Sequence, residues 1–261
     1  MNRHILGDCL EVMGSLEANS VDMILCDPPY GVTKNHWDTR IDSQRMFAEF
    51  RRVAKDNAAI LVFGTGMLVA ELMLKNKDLW RYNLIWEKTT PSGFLNSNRM
   101  PLRCHEQIMV FYKHLPNYNP IKSCGHPRKI SLAKHKRGRT SNYGSYEMKS
   151  YDSTERFPTS ILRYKSDKQK ESLHPTQKPV ELLKYLIELY SAEGETILDN
   201  TAGSFSTAMA ALSSNRKYIM IEKSPDYFKL GENRVRKWIS NWGLFRDNPS
   251  FLFKTIKMSE R

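Results

Sequence analysis

Val21-Asp22-Met23-Ile24-Leu25-Cys26-Asp27-Pro28-Pro29-Tyr30 is a mostly apolar run that stops at an acidic residue and two prolines. Apolarity without alternation marks a strand buried on both faces, as in parallel sheets covered by helices. Further strands are expected at Ala58–Phe63, ending at Gly64, and at Leu84–Trp86 and Ile108–Tyr112. Between the first two strands, Met46, Phe47, Phe50 and Val53 recur at helical spacing, which predicts a helix over one face of the sheet.

The same alternation returns near the C-terminal end. Pro179 suits a first helical turn, followed by Val180, Leu182, Leu183, Leu186, Ile187 and Tyr190 on one side. Thr196–Leu198 reads as a strand ending at Asp199, Thr207–Leu212 as a helix, and Tyr218–Ile221 as a strand ending at Glu222. Ser224-Pro225-Asp226 opens a last helix carrying Tyr227, Leu230 and Trp238. Strands alternating with helices predict an α/β, Rossmann-like fold with a mostly parallel, doubly wound sheet. Such sheets bind ligands at the carboxyl ends of their strands, where Asp27, Asp199 and Glu222 all fall.

The middle of the chain breaks this rhythm. Residues 113–172 are polar, basic and weakly periodic, and read as an insertion into a domain made of 1–112 and 173–261. The chain carries 40 Lys and Arg against 28 Asp and Glu, and between Lys113 and Lys178 the balance is 15 against 5. Nearly all the excess therefore lies in one stretch, where Tyr118, His126, His135, Tyr143, Tyr146 and Tyr151 interleave with the cations. Cations that replace condensed counterions, beside side chains that hydrogen-bond phosphate or stack on bases, point to nucleic acid. Lys129, Lys134, Lys136, Arg137 and Arg139 are the candidate DNA-binding residues.

Cys9, Cys26, Cys104 and Cys124 have no paired spacing, and read as reduced thiols of a cytoplasmic protein. Cys104-His105 and Cys124-Gly125-His126 match no common zinc spacing, so no metal is expected. No apolar run approaches the ~20 residues that a membrane helix needs.

The Asp27 loop suits one kind of chemistry. An aromatic amine is a poor nucleophile because its lone pair is delocalised into the ring. A carboxylate accepting one N–H and a backbone carbonyl accepting the other would free that lone pair and stabilise the charge that develops on transfer. Asp27 and the carbonyl of Pro28 can supply these acceptors. Pro29 holds Pro28 extended, and Tyr30 offers a flat face for a base drawn out of its helix. The second loop, Asp199-Asn200-Thr201-Ala202-Gly203-Ser204, joins a strand to a helix through small residues. Gly203 permits close backbone approach to a nucleoside, and Glu222 ends the next strand where an acid can meet ribose hydroxyls. A lone glycine and no P-loop lysine suit a cofactor without pyrophosphate.

With these pieces in chain order, the sequence resembles the β class of DNA amino-methyltransferases. Gly7-Asp8, Asp27-Pro28-Pro29-Tyr30, His174-Pro175-Thr176-Gln177-Lys178-Pro179 and the Asp199 loop all match. The resemblance implies S-adenosylmethionine as cofactor, with Asp8 and Cys9 near its adenine, Glu222 at its ribose and Asp199–Ser204 near its methionine part. It also implies that His174 and Lys178 line that pocket, Lys178 facing the carboxylate, and that the insertion recognises double-stranded DNA in a bacterial or phage-infected cell. Many relatives dimerise, and some serve with a restriction partner. Adenine N6 is the expected target because Asp stands at position 27. Cytosine N4 is the alternative, and an inactive DNA-binding protein on the same scaffold a further one. Two departures stand out: Asn200-Thr201 replaces the family's Pro-Phe, and Phe205 replaces a glycine. A positive φ at Phe205 would be strained.

Overall fold

The first five strands of the computed structural model are β1 (Asn2–Leu6), β2 (Val21–Cys26), β3 (Ala54–Gly64), β4 (Trp80–Ser92) and β5 (Arg103–Phe111). Four short strands follow, β6 (Lys129–Ser131), β7 (Arg137–Thr140), β8 (Gly144–Glu147) and β9 (Tyr151–Ser153). Then come β10 (Ile161–Tyr164), β11 (Thr196–Asp199), β12 (Lys217–Glu222) and β13 (Phe253–Lys257). The structure describes residues 1–31, 39–133, 137–142, 144–166, 177–241 and 253–258.

Nine of these strands form one sheet, ordered β10-β4-β5-β3-β2-β11-β12-β1-β13. Only β5 runs against its neighbours, antiparallel to β3 and β4, so the sheet is mostly parallel. The chain leaves β2 for β3 on one side and β11 for β12 on the other, so the order reverses between β2 and β11. A crevice at such a reversal is where open α/β sheets take their ligands.

Helices cover both faces. Helices α1 (Cys9–Ser15), α2 (Ser43–Val53) and α3 (Met67–Lys75) lie on one side, and α4 (Val180–Tyr190), α5 (Ser206–Ser213) and α6 (Pro225–Asn241) on the other. In β2, Ile24 and Cys26 join the first core while Met23 and Leu25 join the second. That division explains the run's continuous apolarity. The periodicity of Met46, Phe47, Phe50 and Val53 is the buried face of α2. Pro179 stands one position earlier than expected, as the extended residue capping α4 rather than its first helical residue.

A second compact unit spans Pro120–Thr159. It is narrower than the stretch 113–172 because Ile161–Tyr164 pairs in register with β4 and belongs to the main sheet. Within the unit, β6 pairs with β9 and β7 with β8, both antiparallel. Most of its described residues are exposed, as are the ion pairs Arg128–Asp152 and Lys122–Glu155 that it carries. Strand β4 is far longer than Leu84–Trp86, because beyond Trp86 it continues as a solvent-exposed ladder with β5 that has no hydrophobic pattern. Among the described residues no helix is long and apolar enough to cross a membrane.

Candidate active site

Strands β1, β2, β11 and β12 are parallel neighbours or near neighbours, so the residues that follow them meet at one edge of the sheet. A cavity of about 990 Å³ opens there. Asp27, Pro28, Pro29 and Tyr30 line it, as do Asp8, Cys9, Lys178, Asp199, Asn200, Thr201, Ala202, Gly203, Ser204 and Glu222. His174 lies outside the described residues. Lys134 and Lys136 do too; Lys129 is exposed on β6, and of Arg137 and Arg139 only the backbone is described, in β7.

Asp27 presents its carboxylate to the cavity and is gripped by side chains. Tyr30 donates its hydroxyl to Oδ1 at 2.8 Å, and Lys178 Nζ lies 2.5 Å from Oδ2. Lys178 is buried, and lies 3.3 Å from Glu106 Oε2 and 5.0 Å from the ring centroid of Phe63. Glu106, on β5, also pairs with Lys88 and sits 3.3 Å from the Tyr30 hydroxyl. Burial pushes the Asp27 carboxyl above its usual range, against the pull of Lys178, and Glu106 adds to the rise. Burial opposes ionisation of Glu106 as well, but the Lys178 and Lys88 ammoniums outweigh it and hold that carboxyl down to about 2. Burial likewise works against the Lys178 charge, and Asp27 with Glu106 reverses the effect, so the ammonium persists.

Lys178 lines the cavity, and its ammonium pairs with the Asp27 and Glu106 carboxylates. Burial explains the choice: an ammonium with almost no water around it takes the nearest carboxylates. Glu106 was missed because it lies ahead of the apolar run Ile108–Tyr112 that marks the strand, and its partners Tyr30, Lys88 and Lys178 come from three other segments.

The Asp199 loop is held differently. Asp199 Oδ1 accepts the Thr201 amide at 3.0 Å and Oδ2 the Thr207 hydroxyl at 2.6 Å, so its carboxylate braces its own loop. Burial raises that carboxyl to about 7. Glu222 accepts the amides of Gly203 and Ser224, each at 2.8 Å, which sets the backbone of the loop and of the α6 entrance. Asp8 caps α1 by accepting the Leu10 amide at 3.0 Å and pairs with Lys223 at 3.1 Å. The two departures acquire reasons. The Thr201 hydroxyl donates to the Asp27 carbonyl at 3.1 Å, tying the two loops together. Asn200 is 1% exposed, and its side-chain amide meets no partner stronger than the Cys9 thiol.

Phe205 does adopt the left-handed conformation, φ 59° and ψ 33°, as the residue before α5. Its ring turns away from the cavity and is fully buried, 4.8 Å from His4 and 5.7 Å from Phe228 by centroid. It occupies the space over Gly231, where a Cβ would come within 2.6 Å of its Cγ. Burying a phenyl ring is worth about 1.5–3 kcal/mol, enough to offset the roughly 1–2 kcal/mol cost of the conformation. The aromatic side chain therefore leaves the loop open.

The sequence profile of the family described as DNA methylase matches residues 21–233, from β2 into α6. The chain belongs to the DNA methylase family. It is 28% identical over 250 residues to the DNA adenine methyltransferase YhdJ of Escherichia coli (strain K12), a match covering 88% of this chain and 81% of that protein. It is 26% identical over 258 residues to the type II methyltransferase M2.MboI of Moraxella bovis, covering 88% and 86%. Among solved structures, the M1.HpyAVI–SAM complex superposes with a TM-score of 0.58 at 20% identity, over 90% of this chain and all of that one. The cytosine-N4-specific PvuII DNA methyltransferase superposes with a TM-score of 0.63 at 15% identity, over 100% and 96%. These two likenesses establish the Rossmann-like methyltransferase fold.

Proposed function

We propose that the chain transfers a methyl group from S-adenosylmethionine to the N6 amine of an adenine drawn out of double-stranded DNA. One observation carries this reading: the Asp27 carboxylate and the loop of Asp199–Ser204 line one cavity and are joined through Thr201. The cofactor suits the residues present. Polar atoms of Asn200 and Gln177 that lack a strong partner are buried at the cavity wall, and leaving them bare is costly unless a polar ligand meets them. The Glu222 oxygens each hold one amide and keep a lone pair for a ribose hydroxyl. When bound there, S-adenosylmethionine supplies an electrophilic sulfonium methyl.

The chain's own groups do the rest. Asp27 Oδ accepts one hydrogen of the target amine, which requires Lys178 to yield that oxygen and lean on Glu106. The Pro28 carbonyl accepts the other hydrogen. As the N–C bond forms and the methyl's bond to sulfur breaks, leaving a neutral thioether, positive charge grows on the amine, and its proton passes along that hydrogen bond to Asp27 Oδ. Holding the amine in line with the methyl provides much of the acceleration. A base stacked in a duplex cannot enter a cavity at the strand ends, so it must leave the helix. Lys129, Lys134, Lys136, Arg137 and Arg139 are assigned to phosphate contacts in the insertion, which carries nine Lys and Arg against three Asp and Glu over residues 120–159.

Asp at position 27 favours adenine, and so does the likeness to an adenine methyltransferase. Detection of modified bases in DNA from cells expressing the protein tests the reading. N6-methyladenine in a fixed context is expected. N4-methylcytosine in its place overturns the adenine assignment. No modified base from a protein that binds S-adenosylmethionine overturns the catalytic one.

A further inference from the structure

The β4–β5 hairpin continues past the core of the sheet. Ser92 pairs with Arg103, and the ten residues between them form the tip. Gly93 turns the chain with φ 91°, Phe94–Asn96 form a short 3-10 turn, and the amides of Arg99 and Met100 bond back to the Asn96 carbonyl. The tip is therefore shaped by its own backbone, yet its large apolar side chains point into solvent. Leu95 is 96% exposed, Phe94 78%, Met100 59% and Leu102 39%. Four such side chains on one protruding tip are unusual for a surface without a partner.

Two features say what the partner is. At its base, Thr90, Pro91 and Ser92 line the cavity that contains Asp27, so the tip rises from the rim of that cavity. From Lys88 to His105 there is no acidic residue, while Arg99 and Arg103 are exposed and threonine, serine and asparagine hold six of the other places. Apolar side chains ringed by cations and hydroxyls match a duplex, with stacked bases inside and phosphates outside. A symmetric contact between two copies would instead set cation against cation.

We infer that the tip, led by Phe94 and Leu95, is a wedge that enters the DNA stack beside the target base and fills the gap left when that base moves to Asp27. The inference rests on the proposed reaction on an extrahelical base. It assigns the hairpin, rather than the insertion alone, a part in opening the duplex.

The test uses a duplex bearing the methylation site found in expressing cells, and the same duplex with an abasic position opposite the target base, where no pair has to be broken. The Phe94→Ser/Leu95→Ser variant exchanges only exposed side chains, so folding and S-adenosylmethionine binding are expected to survive. Its kcat/KM should fall about tenfold or more on the paired duplex and change less than about threefold on the abasic one, because flipping is cheapest where pairing is already lost. Equal losses on both duplexes, or none on either, overturn the wedge. So does a loss that tracks dissociation of a dimer in sedimentation, which would make the tip a contact between copies. A wild-type protein that methylates neither duplex overturns the underlying reaction, a result told apart by the absence of any transfer.

Discussion

Two neighbouring strands end in an aspartate followed by a tight loop, and the two aspartates do opposite things. Asp27 turns its carboxylate outward and is gripped by side chains from elsewhere, Tyr30 and Lys178. Asp199 turns its carboxylate inward and grips its own loop through Thr201 and Thr207. The first holds a reactive group in readiness; the second builds a backbone surface. A strand-ending acid at the switch point of an α/β sheet can thus be a reagent or a brace, and its hydrogen-bond partners decide which.

Asp27→Ala removes the outward carboxylate. Methyl transfer should fall by about 10³-fold or more, the scale of losing a group that meets developing charge, while calorimetric titration shows S-adenosylmethionine still bound. Full activity in that variant would remove the contrast altogether.

On the bracing side, Phe205→Gly pits two effects against each other. Relief of the left-handed strain returns about 1 kcal/mol, but loss of the ring leaves a cavity worth roughly 3–5 kcal/mol. Thermal unfolding should show a net destabilisation of about 2–4 kcal/mol, with the cofactor still bound. A more stable variant would mean that the ring does not support the loop.

Asp199 predicts a pH dependence of stability. Its carboxyl titrates near 7 when folded and near the ordinary 3.8 when unfolded, so the folded state holds the extra proton between those values. Its contribution is complete below about 3.8 and is lost as pH rises through 7. Asp199→Asn should flatten the unfolding midpoint across that window relative to the wild type. An unchanged slope would show that the carboxylate is better solvated than its burial implies.

The smallest expected effect sharpens the other loop. Glu106→Gln leaves Lys178 with Asp27 as its only carboxylate partner among those described, so the target amine must compete harder for Asp27. kcat should drop about tenfold, roughly 1.4 kcal/mol in barrier, with S-adenosylmethionine affinity unchanged. Equal falls in both would place Glu106 in the scaffold rather than in the positioning of Lys178.

Much of this molecule was written along the chain. Unbroken apolar runs dictated β2, β3, β11 and β12, because a strand covered on both faces has no polar side to show. The acidic residues that close β2, β11 and β12 followed, as did the basic stretch. Periodicity could not reveal β1, whose buried Asn2 and His4 are satisfied by Tyr218 from a strand more than two hundred residues away. It was equally blind to the outer half of β4, which has no core face.

Partnership came from the folded chain. Local motifs marked positions 27 and 178 as site residues, but nothing local joins them to positions 106 and 201. Their meaning comes from distances of a few ångströms between β2, β5, the entrance of α4 and the end of β11. The same holds for Phe205, whose strain is tolerable only because Gly231 leaves room for its ring. Local sequence sets which backbone each segment prefers, whereas charge pairing and close packing depend on which segments meet.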